Sequence, residues 1–160
     1  MAFDPQAQRR IMGRFATGVT VVTTRVGEHL CGMTANAVTS LSLEPPLVLV
    51  AVDRRAHILG CLKESKCFAI NMLTVDQESL SRRFARSGPK DFSDLALTTA
   101  ATGCPILADA LAYVDCRLHE ILPGGDHDIF VGEILAGDQR DGRPLLFYAG
   151  NYGRLAETNP

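Results

Sequence analysis

The sequence predicts a mainly β fold, a barrel with a few short peripheral helices. Three observations lead there. Six or seven segments carry strand-like patterning, against two or three short helical ones. They follow no strict βαβ alternation, which disfavours a doubly wound sheet. At 160 residues, 46% of them hydrophobic and 21% charged, the chain has the composition of a globular protein and the length to bury one sizeable core. A single domain over residues 1–160 is expected, without repeats, low-complexity tracts or linkers.

Each element follows from local chemistry. Asp4-Pro5 reads as an N-cap with proline at the first helical position. The helix it opens is expected to reach Phe15, with Ile11, Met12 and Phe15 on one face and Gly18 as its breaker. Residues 19–24 are Val and Thr throughout and read as a strand. Val26-Gly27-Glu28 supports a hairpin turn, and residues 29–33 return. The stretch 32–47 is expected to be a loop feeding a strand near 39–43, interrupted at Pro45-Pro46. Residues 47–52 are apolar at every position, the pattern of a strand buried on both faces. Residues 57–63 read as a short helix and 67–73 as a strand. Thr74-Val75-Asp76-Gln77 matches a capping box. Its helix carries Leu80 and Phe84 on one side, with Arg82, Arg83 and Arg86 elsewhere. Residues 87–102 read as a loop. Ala112, Val114, Cys116 and Leu118 then alternate with Asp115, Arg117 and His119, one face in and one out. A turn at 123–126 leads to the answering strand at 129–136. A turn at 141–144 precedes a last strand at 145–148.

The formal net charge is -2, with no basic face or tail, so neither nucleic acid nor a membrane surface is an expected partner. The N-terminus lacks the pattern of a signal peptide, and no apolar run approaches the ~18 residues that span a bilayer. The five cysteines, Cys31, Cys61, Cys67, Cys104 and Cys116, form no CxxC pair. They are expected to be reduced thiols, mostly buried, in a cytoplasmic protein. His29, His57 and His119 show no ligand-like spacing, so no metal is expected. Neither GxGxxG nor GxxxxGK[ST] occurs, so neither a Rossmann nor a P-loop nucleotide site is supported.

The most informative stretch is 32–47, Gly-Met-Thr-Ala-Asn-Ala-Val-Thr-Ser-Leu-Ser-Leu-Glu-Pro-Pro-Leu. It is small, hydroxyl-rich and nearly uncharged, suited to reading the edge of a flat polar ligand by hydrogen bonds. With it stand Phe15-Ala16-Thr17-Gly18-Val19-Thr20-Val21-Val22-Thr23, Phe68-Ala69-Ile70-Asn71-Met72-Leu73, Gly125-Asp126-His127 and Leu145-Leu146-Phe147-Tyr148-Ala149-Gly150-Asn151-Tyr152, in that order. Together, from Arg14 to Leu155, they resemble the flavin reductase family. The nearest group is similar to the small reductase components of two-component flavin monooxygenases.

That resemblance implies the FMN-binding split β-barrel, Greek-key-like, with a few short helices. It also implies a homodimer that uses NADH or NADPH to reduce FMN or FAD, and a separate oxygenase that receives the reduced flavin. Thr34, Ala35, Asn36, Ala37, Ser40 and Leu41 match positions that line the flavin. Ala37 stands where many relatives carry a hydroxyl. Asp53, Arg54, Arg55, Ala56 and His57 lie between a strand and a helix, where a helix N-terminus and arginines suit a phosphate. Arg83 and Phe84 match a pair that reaches the flavin tail, although the spacing of Phe84 alone points to the core. Lys90 is a further candidate for the phosphate.

His127 is the candidate catalytic residue. Hydride transfer from nicotinamide to flavin needs close stacking more than an acid or base. Its expected work is therefore to position the nicotinamide, with proton donation a lesser role. Tyr148 and Tyr152 border either the nicotinamide pocket or the dimer interface. Two other functions compete with the reductase: a flavin-binding barrel for storage or electron relay, and a flavin enzyme with its own organic substrate.

Overall fold

The computed structural model describes residues 2–156. Met1 and the last four residues of the expected domain lie outside them. Asp4 caps the first helix, α1 (Pro5–Met12), by accepting from the backbone N–H groups of Gln6 and Ala7 at 3.0 and 3.1 Å. The helix stops at Gly13, short of the predicted Phe15, where the Gly13 N–H closes on the Arg9 carbonyl. Its apolar side chains Ile11 and Met12, and Phe15 beyond it, are exposed.

The chain continues through β1 (Thr17–Gly18), β2 (Thr20–Val26), β3 (His29–Ala35), β4 (Val38–Leu43) and β5 (Pro46–Asp53). Next come α2 (Ile58–Ser65), β6 (Cys67–Met72), a 3-10 turn (Val75–Gln77) and α3 (Glu78–Ala85). Then follow β7 (Leu97–Thr98), β8 (Ile106–Leu107), β9 (Ala112–Gly124), β10 (His127–Gln139), β11 (Leu146–Tyr148) and β12 (Asn151–Gly153). Seven strands form one antiparallel sheet in the order β3-β2-β6-β9-β10-β5-β4. By strand pairing the sheet does not close, and β3 and β4 are its edges. It does wrap one core. Val22, Cys31, Val50, Phe68, Cys116 and Phe130, from six of its strands, join Ile58 and Leu62 of α2 in a single cluster. A second cluster, with Val21, Leu80, Phe84 and Phe92, fills the other side of β2 beneath α3. The fold is mainly β with a few short helices, as expected.

Four expectations change. The doubly buried strand is β2, whose Val21 and Val22 serve the two clusters. β5 instead alternates, with Val48, Val50 and Val52 buried and Leu47, Leu49 and Ala51 half-buried. Residues 32–35 belong to β3 rather than a loop, because they pair in register with 20–23 of β2. Asp115 does not face solvent. The segment 102–107 folds over that face of β9, and the Asp115 carboxylate accepts from the N–H of Thr102 at 2.8 Å and from its hydroxyl. Finally, not all cysteines are reduced thiols: Cys31 of β3 and Cys61 of α2 form a disulfide, because the packing of α2 across β3 brings their Cα atoms to 6.6 Å.

Candidate functional site

β3 has a partner on one side only, and α3 packs beside it. Gly32 allows this. A Cβ there would stand 2.5 Å from a ring carbon of Phe84, so only glycine lets the ring lie on the strand. Phe84 is itself buried and meets Phe92 edge-on at 5.0 Å. Between β3, the β5–α2 turn and the chain leaving α3 lies a cleft of about 660 Å³. Its walls include Gly32, Met33 and Thr34 of β3, Asp53, Arg55 to Ile58, Phe84, and Arg86 to Gly88 with Lys90. A smaller cavity of about 210 Å³ shares Thr34 and Ala85 with it and adds Ala35, Asn36 and Tyr152.

The charges of the cleft are arranged unequally. Asp53 accepts from the Arg55 backbone and guanidinium, both at 2.8 Å, which holds its carboxyl well below the usual range. Lys90 donates to the Arg86 carbonyl at 2.6 Å and to that of Gly88, and burial pushes its ammonium pKa down. Arg86 is exposed and has no carboxylate partner among the described residues. The first turn of α2 has no side-chain cap from His57; its Leu59 N–H closes on the Ala56 carbonyl at 3.1 Å, and the positive end of the helix lies at the cleft wall that His57 and Ile58 form. Neutral strand donors on one wall, with cations and a helix N-terminus on another, suit a flat ligand with an anionic tail.

The expected site residues distribute as follows. Thr34, Asp53, Arg55, Ala56, His57 and Phe84 line the large cleft, and Ala35, Asn36 and Tyr152 line the small one. His127 opposes Asp53 in the β5–β10 pairing, and its Nδ1 lies 2.7 Å from Asp126. The Gly125-Asp126-His127 turn is thus beside the cleft, tied to it by the Arg54 N–H donating to the Asp126 carbonyl at 3.1 Å. Arg54 turns away to Asp128 at 2.8 Å. Arg83 is held bidentately by Asp94 at 2.5 and 2.8 Å. Ala37 accepts from the Ala51 N–H at 3.0 Å, while Ser40 and Leu41 lie on edge strand β4. None of these lines either cavity. Tyr148 stands at the surface, where Arg14 donates to its hydroxyl at 3.2 Å. Tyr152 bonds Ser81 of α3 at 2.7 Å.

Residues that sequence reasoning missed are Met33, Ile58, Ala85, Arg86, Ser87 and Gly88. The signal for the last three was a short Arg-Ser-Gly run where the helix ends, of which the pattern gives Arg86 to the helix and Ser87 and Gly88 to a long loop.

The fold and cleft define a mainly β protein with a site for a flat, anionic-tailed ligand. The flavin reductase like domain matches residues 12–156, and the chain belongs to that family. It is 43% identical to the reductase component of 4-hydroxyphenylacetate 3-monooxygenase of Thermus thermophilus, over 94% of this chain and 96% of that one. It is 42% identical to the FMN reductase (NADH) SmoA of Agrobacterium fabrum, over 92% and 84%. Among solved structures, NADH:FAD oxidoreductase SgcE6 of Streptomyces globisporus C-1027, in complex with NAD and FAD fragments, superposes with a TM-score of 0.89. That match is 37% identical and covers 98% of this chain and 97% of the other.

Proposed function

We propose that this protein is an NAD(P)H:flavin oxidoreductase that supplies reduced FMN or FAD to a separate flavin-dependent monooxygenase. The observation that carries the reading is the cleft, where the free edge of β3 meets the uncapped start of α2, Arg55 and the unpaired Arg86. The relatives named above are an NADH-using FMN reductase, an NADH:FAD oxidoreductase and a monooxygenase reductase component.

The bound flavin supplies the hydride acceptor and the nicotinamide the hydride. The chain's own residues bind and orient. Thr34, Ala35 and Asn36 offer neutral polar groups to the ring edge and ribityl chain, and Met33 and Phe84 offer apolar surface. Arg55, Arg86 and Lys90 surround the position for the phosphate, with Ala56, His57 and the first turn of α2. His127, held by Asp126, positions the nicotinamide. Tyr152 locks α3 against the end of the chain and so keeps the small cavity in shape. Arg54, Arg83, Ala37, Ser40, Leu41 and Tyr148 act through the scaffold or an assembly.

A single domain forming a homodimer fits the exposed apolar side chains of the protomer: Phe3, Ile11, Met12 and Phe15 near α1, with Leu41 and Leu43 on edge strand β4. No helix among the described residues is long and apolar enough to cross a membrane. The reading carries with it a cytoplasmic setting, where nicotinamide is kept reduced.

The test is to mix the purified protein with NADH and excess free FMN and follow the nicotinamide absorbance band. Turnover far beyond one equivalent of protein is expected. Bound FMN without NADH consumption would replace the reductase by a storage or relay role.

A further inference from the structure

Away from the walls that bind the ring, α2 and β3 meet at a cluster that shares one member, His57, with the phosphate end of the cleft. His29 and Cys31 are two apart on a strand, so both project from the same face of β3. His57 and Cys61 are four apart at the start of α2, so both project from the same side of that helix. The two faces oppose each other. Ligand atoms of His29, Cys31 and Cys61 all lie within 4.8 Å of one another. The His57 ring stands edge-on to that of His29, with centroids 6.3 Å apart.

We propose that His29, Cys31 and Cys61, with His57 as the fourth ligand, form a site for one divalent cation of the zinc class, occupied when the Cys31–Cys61 disulfide is reduced. Two sulfurs and two imidazole nitrogens are a tetrahedral zinc donor set. The site rests on the cytoplasmic setting proposed above, where a cysteine pair flanked by histidines is more characteristic of metal ligation than of a structural bridge. Access is available: Cys31 is buried, but Cys61 is half-buried and both histidines are exposed. The sulfurs need move little, and His57, which lies outside the 4.8 Å group, turns towards them. Two thiolates on one tetrahedral zinc stand about 3.8 Å apart, given Zn–S bonds of about 2.3 Å.

The chemistry balances in two steps. A dithiol reduces the disulfide to two thiols, and its own two sulfurs close into a disulfide. The cation then displaces both thiol protons to solvent and is bound by two thiolates and two neutral imidazoles. The disulfide is thus the metal-free oxidised form of the site, and a falling pH opposes metal uptake by returning those protons.

Cobalt(II) reports the geometry. The whole protein is reduced with a dithiol, desalted without oxygen, and titrated with Co²⁺. The expected result is one ion per chain, with a thiolate-to-cobalt charge-transfer band and the intense visible bands of tetrahedral cobalt, both bleached by Zn²⁺. The oxidised chain shows neither. His29→Ala removes an exposed ligand and Cys61→Ser a half-buried one. Each should weaken binding roughly a hundredfold, one ligand's share of a structural zinc affinity. A reduced chain that takes up no metal overturns the proposal, as does an unchanged spectrum in both variants. So does a signal that disappears instead with Cys104→Ser, because the Cys67 and Cys104 sulfurs, 3.3 Å apart, are the competing pair.

Discussion

Two polar regions of this molecule differ in how completely they are closed. Behind β2, Asn71 is fully buried and fully engaged. Its amide donates to the Val21 carbonyl at 3.0 Å and the Thr23 hydroxyl at 3.1 Å, and its oxygen accepts from the Leu107 N–H at 2.9 Å. Thr23 in turn donates to the Pro105 carbonyl. Together with Asp115 and Thr102, these bonds pin segment 102–107 to the sheet. In the cleft the reverse holds: one edge of β3 is unpaired, α2 starts without a side-chain cap, and Arg86 has no carboxylate partner among the described residues. Polar groups that are both buried and satisfied hold a fold together. Polar groups that converge on a cavity and remain open mark where a ligand completes them. The same residue types thus do different work, distinguished by whether the protein already supplies their partners.

The sharpest break of this contrast is Asn71→Ala. It leaves the buried Leu107 N–H without a partner and strips a second donor from the Val21 carbonyl, which keeps its ladder bond to β6, at a cost of about 3 kcal/mol. For a chain of this size that lowers Tm by roughly 6–12 °C. Calorimetry checks it, and any remaining folded protein should keep its flavin KM. Gly32→Ala joins the two regions instead. The new Cβ meets the Phe84 ring, an overpacking cost of about 1–3 kcal/mol. Because Phe84 also lines the cleft, Tm and flavin affinity should fall together. A drop in Tm with unchanged flavin affinity would separate the strand–helix contact from the site.

The closed region was partly legible in the sequence and the open one only in outline. The β-branched run of β2 and the capping box, in which Gln77 accepts from the Thr74 N–H at 2.9 Å, rest on local chemistry and form where the pattern places them. Residues 32–35 have the small, polar composition of a loop, yet they form an edge strand, since an edge needs no apolar outer face. Asp115 looked outward because alternation describes one sheet, not the segment that later folds across it. At the cleft, the arginines were visible but their fates were not. Arg54 is claimed by Asp128 and Arg83 by Asp94, 74 and 11 residues further along the chain. The Cys31–Cys61 pairing, across 30 residues, is equally a product of tertiary packing.

Two substitutions sharpen the open side. Arg86→Ala removes the unpaired cation, and a charge-assisted bond to phosphate is worth about 1.5 kcal/mol, or roughly tenfold in KM for FMN. Tm should stay within about 1 °C, since nothing buried is left unpaired. Riboflavin, which lacks the phosphate, should show no change in KM. An equal loss with riboflavin would move Arg86 away from the tail. His127→Ala should raise the nicotinamide KM severalfold while flavin binding, followed by fluorescence quenching, stays nearly intact. Equal loss of both would put His127 at the flavin instead.

The smallest expected effect lies on the boundary between the two regions, at Asp128. Its side chain is nearly buried and accepts from Lys63 and from Arg54, each at 2.8 Å. The Lys63 ammonium, and then the Arg54 guanidinium, hold its carboxyl below the usual carboxylate range. A group whose pKa is lowered on folding stabilises the native state above its unfolded value, about 3.9 for Asp, and loses that contribution as pH falls through the folded value. Asp128→Asn should therefore be less stable than the parent at about pH 7, and the gap should narrow as pH falls below the unfolded value of about 3.9, where the unfolded chain takes up the proton first. Thermal melts across that range measure it. A gap independent of pH would assign the loss to shape rather than charge. Arg54, released by the same change, does not line the cleft, so the flavin KM should not follow the melts. If it did, Asp128 would belong with the site rather than the scaffold.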